Sequence, residues 1–171
     1  VPLLLVGMWM SAVVAVPQDF KGAVFELGEP LLFKAAEWLT FGSIPDGYTV
    51  YMHPMAFAAW FGMLATALNL FPIGQLDGGH ISYAVFGRHS TTLTLASVAC
   101  LIGLTFVSTS WIVWAVLTVL MLVTVGPRHP KTLDEDVPLD VGRLWLAAFA
   151  LLMFVLCFTP APIETSALIG R

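Results

Sequence analysis

No Asp, Glu, Lys or Arg lies between Arg88 and Arg128, and this gap of roughly 39 residues limits the fold more than any other feature. About 20 apolar residues cross a hydrocarbon core once, so the gap nearly fits two crossings. Ser108-Thr109-Ser110, near its middle, reads as the turn between them. Other charge-free stretches run from Val1 to Gln18, from Gly47 to Leu76 and from Leu144 to Ile163. Backbone amides in lipid must be satisfied within the segment, which leaves helices or barrel strands. Barrel strands alternate polar and apolar residues. These runs do not alternate, so helices are expected. Composition agrees: 58% of residues are hydrophobic and 11% charged, against about 45–50% and about 25% in soluble domains. A soluble fold of this size needs a charged surface, whereas a bilayer-facing one needs none.

Five spans follow: Val1–Val16, Pro54–Leu70, Thr91–Val107, Trp111–Val125 and Gly142–Phe158. Pro54 suits a first helical turn, where a missing N–H costs nothing. Gly126-Pro127, Pro160 and Pro162 are stop signals. Residues 1–171 are thus expected to form one all-α, multi-pass integral membrane domain embedded in a lipid bilayer. Val1 opens abruptly in apolar sequence, without a basic leader or a small-residue cleavage site, which predicts a fragment cut within or just before a span.

Two segments are too polar for lipid. Residues 17–53 are expected outside the membrane or at its interface. Within them, Glu29-Pro30 opens a helix to about Phe41, with Leu31, Leu32, Ala35, Trp38 and Leu39 near one face and Lys34 and Glu37 on the other. That pattern suits a helix lying on the membrane, or equally a soluble cap helix. Residues 127–142 form a polar loop with Arg128, Lys131, Asp134, Glu135, Asp136 and Asp140, and Arg143 follows it. With five spans this loop shares a side with Arg88. That side holds four of the seven basic residues, which points weakly to the cytoplasm. The net charge of −4, with no basic patch, argues against nucleic acid as a partner. Cys100 and Cys157 sit inside apolar runs and read as small apolar side chains. Trp111, Trp114 and Trp145 lie near helix ends and suit an aromatic belt.

The stretch Asn69-Leu70-Phe71-Pro72-Ile73-Gly74-Gln75-Leu76-Asp77-Gly78-Gly79-His80 is where chemistry can reside. Pro72 donates no amide, and Gly74, Gly78 and Gly79 permit backbone shapes that other residues resist. The chain is therefore expected to leave helical geometry here, in an irregular Pro/Gly loop at the membrane boundary. Such backbone survives at that depth only when buried in protein or lining a wet cavity. A carboxylate in it, Asp77, is costly and so points to function. Asp-Gly is also ordinary turn chemistry, which gives Asp77 a purely local explanation.

Asn69, Pro72, Asp77 and Gly78 match the N-x-x-P-x-x-x-x-D-G signature of the site-2 proteases, which are intramembrane zinc metalloproteases. Leu76-Asp77-Gly78-Gly79-His80 also resembles the bacterial form of that motif. The His53–Asn69 run and the Arg128–Arg143 loop look like the same family, so the resemblance spans most of the chain. It implies that Asp77 is the third protein ligand of one zinc ion. It implies that Asn69 hydrogen-bonds substrate backbone or the developing oxyanion, and that Pro72, Gly78 and Gly79 shape the loop. His80 reads as a polar interface residue or a partner of Asp77. Gln75 lies near the site, where it can steer a substrate strand or make a turn hydrogen bond. The substrate implied is a transmembrane helix of another protein, unwound locally so that a peptide bond reaches the metal.

The chain departs from the family in one respect. It contains no HExxH; its histidines are His53, His80, His89 and His129, and no two are four apart. In the family that motif supplies two His ligands and a general-base Glu from an upstream helix. The chain thus resembles the C-terminal part of such a protease, one that needs the missing N-terminal part of the same protein to complete its site. An autonomous metal site from Asp77, His80 and His53 is the lesser option. An inactive relative, or a transporter-like protein with a re-entrant binding loop, are the other readings.

Overall fold

Proline at the start or glycine after the end sets the limits of several helices. The computed structural model describes residues 1–16, 23–126 and 139–167. Where the sequence reads as one domain, the chain divides into two compact units, Val1–Ala65 with Leu156–Arg171, and Thr66–Val155.

The first unit opens with α1 (Pro2–Trp9), which buries Leu4 and Met8. The expected first span does not continue to Val16: the chain turns at Met10 and forms β1 (Ala12–Ala15). The Ser11 hydroxyl donates to Gly7 O at 2.7 Å and accepts the His53 N–H at 2.9 Å, fixing this corner. β-Branched Val13 and Val14 favour a strand, and β1 pairs antiparallel with β3 (Tyr48–Tyr51), Ala12 opposite Tyr51. β2 (Ala23–Leu27) pairs antiparallel with β4 (Ile163–Ala167), Glu26 opposite Glu164. These four strands correct the all-α expectation; both pairings join residues far apart in sequence, which local patterning does not reveal.

Between β2 and β3 lies α2 (Leu31–Phe41), entered through Pro30 and closed by Gly42 at φ 69°. It buries Phe33 and Ala36, while Leu31, Trp38 and Leu39 of the anticipated apolar face are exposed, Leu39 to 70%. α3 (Pro54–Asn69) follows. The Met55 N–H donates to His53 Nδ1 at 3.2 Å, so His53 serves as a cap at the start of α3. Trp60, 1% exposed, donates its indole N–H to Gly28 O at 2.7 Å.

The second unit holds α4 (Asp77–Phe86), a 3-10 turn at Gly87–His89, α5 (Ser90–Leu104), α6 (Trp111–Val125) and most of α7 (Val141–Cys157). α5 and α6 cover the third and fourth apolar runs, and Gly126 at φ 94° closes α6. Asp140 caps α7: its Oδ1 accepts the Arg143 N–H at 2.9 Å, and its Oδ2 lies 3.2 Å from Arg143 Nε. The expectations for residues 127–138, including Arg128, His129 and the acidic run at 134–136, fall outside the described residues.

Among the described residues, no helix is long and apolar enough to cross a membrane. The longest, α7, has 17 residues, about 26 Å at 1.5 Å per residue, against a hydrocarbon core of about 30 Å.

Glu37 offers a test of packing in the first unit. Burial, then the neighbouring Glu29 carboxylate, push its carboxyl above the ordinary range, while Lys34 acts in the opposite direction. The folded protein therefore holds this proton more tightly than the unfolded chain does. The resulting stabilisation is complete below the unfolded pKa and is lost as pH rises through the raised folded value. Glu37→Gln is expected to raise the melting temperature at pH 7 and leave it unchanged near pH 4, as measured by thermal unfolding at both.

Candidate metal centre

α3 ends on a last helical bond, from the Leu70 N–H to Thr66 O at 3.0 Å. Pro72 then prevents its continuation. The Ile73 N–H donates to Phe71 O at 2.7 Å in a tight turn, and the Leu76 N–H to Ile73 O at 3.0 Å. Gly74 lies between them at φ 51°, left-handed backbone that favours glycine. Its N–H donates to the Thr94 hydroxyl of α5 at 3.4 Å. Two apolar anchors hold the segment: Ile73 is 1% exposed, and the Phe71 ring meets Trp111 and Phe154 edge-on at centroid distances of 6.1 and 5.1 Å.

Irregular backbone was expected through His80, but it ends at Leu76. Asp77, Gly78, Gly79 and His80 form the first turn of α4, whose first bond runs from the His80 N–H to Leu76 O at 3.0 Å. The two glycines, which read as breakers, belong to this helix because the preceding segment lies against it. A Cβ on Gly78 would overlap the Leu70 carbonyl, and one on Gly79 the Gly74 carbonyl. Both neighbours are backbone and cannot swing aside.

This packing leaves the polar residues of the motif outermost. Asn69, Gln75, Asp77 and His80 are exposed, Pro72 is half-buried, and Gly78 and Gly79 are buried. Asp77 and His80 stand three apart on α4, on neighbouring positions of one helix face. Asn69 also edges an apolar cavity of about 140 Å³ with Ile73, Leu76 and Trp114. No side chain caps α4, so the Asp77 carboxylate also lies favourably at the positive end of the helix dipole.

As a metal site this is one arm. An exposed carboxylate on a rigid first turn fits a ligand, but among the described residues no three His, Cys, Asp or Glu side chains gather closely enough to hold an ion. Asp77, His80 and His53 therefore form no autonomous metal site among the described residues. Thr94 escaped the sequence reading. Its signal is the spacing of Ser90, Thr94 and Ser97 inside an apolar run, and all three are buried.

The model of peptidase family M50 matches residues 39–110, which include the whole motif. The chain is 31% identical to "Probable zinc metalloprotease EGY2, chloroplastic" of Arabidopsis thaliana, over 94% of this chain and 28% of that protein. It is 34% identical to "Probable zinc metalloprotease EGY3, chloroplastic" of Oryza sativa subsp. indica, over 66% of this chain and 19% of the relative. With "Probable zinc metalloprotease EGY1, chloroplastic" of Arabidopsis thaliana it shares 28% identity, over 71% of this chain and 22% of the relative. The chain thus spans less than a third of the length of these relatives. No solved structure matches it significantly. The motif, the family match and the extended likeness to these relatives converge: the chain belongs to peptidase family M50, the site-2 protease family of metallopeptidases.

Proposed function

We propose that this chain is the C-terminal part of a site-2-type intramembrane zinc metalloprotease, which hydrolyses peptide bonds in or near transmembrane segments of substrate proteins. The observation that carries this reading is the exposed Asp77 carboxylate on a first helical turn that two glycines lock against the loop. Asp77 is the third zinc ligand. The other two ligands and the general base come from an HExxH helix outside these residues. When bound, zinc supplies a water activated at neutral pH and a polarised peptide carbonyl. Asn69, at the end of α3, donates its side-chain amide to substrate backbone or to the developing oxyanion. Pro72, Gly78 and Gly79 keep Asp77 and Asn69 at fixed separation. Gln75 and His80, exposed beside them, are placed to orient the substrate strand and the carboxylate.

A multi-pass membrane location is part of the same reading, and the distribution of polarity supports it. α5 buries Ser90, Thr94 and Ser97 while Leu95 and Ile102 face outward. Val98 and Leu101 are buried beside them, and small polar residues are the usual contacts between membrane helices. On α6, Val113, Val116, Leu120 and Val123 are all more than half exposed, Val123 to 78%. Apolar surface this continuous is not left to water. Helices slightly shorter than the hydrocarbon core are accommodated by local thinning of the bilayer. The outward Leu31, Trp38 and Leu39 of α2 suit a helix at the interface.

Asn69→Ala in the intact protein separates positioning from metal binding. Cleavage of a transmembrane substrate is expected to fall about 100-fold, the usual cost of one lost oxyanion donor, with zinc content unchanged. Loss of zinc in this variant would assign Asn69 to the metal instead.

A further inference from the structure

The first unit contains a groove of about 930 Å³, lined by its own residues. Its wall carries Glu26, Glu29, Glu37 and Asp46. The charged side chains described in this unit are those four, Glu164 and Lys34. Four of the five carboxylate side chains described in this unit therefore line one groove. The fifth, Glu164, stands directly opposite Glu26 across β2 and β4, a like-charge pairing that ordinarily costs stability. Lys34 lies 3.8 Å from Glu29 with both side chains substantially exposed, an arrangement worth little, and it opposes the rise at Glu37 without cancelling it. The floor is aromatic: Phe33 and Trp60 are buried, and Phe57, Phe61 and Tyr48 present partly exposed rings. Carboxylates and aromatic rings lining one groove make a surface for long cationic side chains, whose stems pack on the rings while their heads pair with the acids.

Resting on the protease reading, we infer that this acidic aromatic groove docks the Lys/Arg-rich segment flanking the substrate's transmembrane helix, and so selects substrates by their juxtamembrane charge. The groove lies largely in residues 26–52, within the 17–53 stretch expected outside the membrane or at its interface, where the flank of a transmembrane helix emerges. Burial, and after it the Glu29 carboxylate, raise the cost of keeping Glu37 ionised, and an incoming cation offsets the repulsion between the acids.

The test uses the intact protein carrying Asp77→Ala, so that peptide is bound and not consumed. Two fluorescent peptides share one transmembrane segment; one is flanked by three lysines, the other by three glutamines. Anisotropy in neutral-lipid nanodiscs is expected to show the lysine peptide binding about tenfold more tightly. The preference should shrink as salt rises and vanish in the isosteric triple variant Glu29→Gln/Glu37→Gln/Asp46→Asn. Equal binding of the two peptides, or a preference that survives the triple variant, overturns the inference. Cleavage of the glutamine peptide by the wild-type protein tests the protease reading separately. If it is cleaved without a charge preference, only the groove assignment fails; if the preference is present and nothing is cleaved, only the protease reading fails.

Discussion

Asp77→Ala in the intact protein is expected to abolish proteolysis and to weaken zinc binding by more than about 100-fold. Changing a residue that merely supports a ligand already costs about 10–100-fold in affinity or activity, and removal of a ligand exceeds this. Unfolding does not compete as an explanation. The side chain is exposed, so its removal opens no cavity. Its interaction with the α4 dipole is worth about 0.3–1 kcal/mol. Zinc content after exhaustive dialysis, taken with the melting temperature, separates the two effects: zinc is lost while the fold remains. Cleavage at the wild-type rate would remove Asp77 from the ligand set and leave it as a helix-start residue.

Gly78→Ala and Gly79→Ala carry the second large effect. Each new methyl is driven into a backbone carbonyl, of Leu70 and Gly74 respectively. Relief requires moving a segment that Ile73 and Phe71 anchor in the core of the second unit. Overpacking commonly costs about 1–3 kcal/mol and more where backbone must shift, so a loss of about 3 kcal/mol is expected for each. Gly103→Ala in α5 is the control. A Cβ there meets nothing within 4 Å, and alanine in a helix interior is favoured by about 0.5–1 kcal/mol. Denaturant midpoints for the three variants should fall, fall and rise. Wild-type stability in Gly78→Ala would mean that the loop does not lie against α4 as described.

The site's sequence neighbourhood was more legible than its shape. Pro54, Gly126 and the proline pair after Phe158 mark helix limits through local backbone constraints: α3 begins at Pro54, α6 ends one residue before Gly126, and α7 ends three residues before Pro160. Glycine was harder to interpret. Gly78-Gly79 offers the same letters whether it breaks a helix or admits a close neighbour, and only the three-dimensional approach of Leu70 and Gly74 distinguishes these. The second half of the Val1–Val16 run was equally ambiguous. A short apolar run fits a strand as well as a buried helix, and the deciding partner, Tyr48–Tyr51, lies more than thirty residues away. The groove acids were visible as residues, but their gathering depends on β2, α2 and the approach to β3 meeting in one unit. The absence of HExxH from the 171 residues was plain in the sequence, and among the described residues no three possible ligands gather around Asp77.

The most direct measurement is zinc-edge X-ray absorption on the intact protein bearing Asp77→Cys. If residue 77 ligates the ion, the spectrum gains a single sulfur scatterer at about 2.3 Å, the ordinary zinc–thiolate distance, beside nitrogen ligands from histidine. Zinc bound at wild-type stoichiometry with only nitrogen and oxygen neighbours would contradict the assignment and place the third ligand elsewhere in the protein.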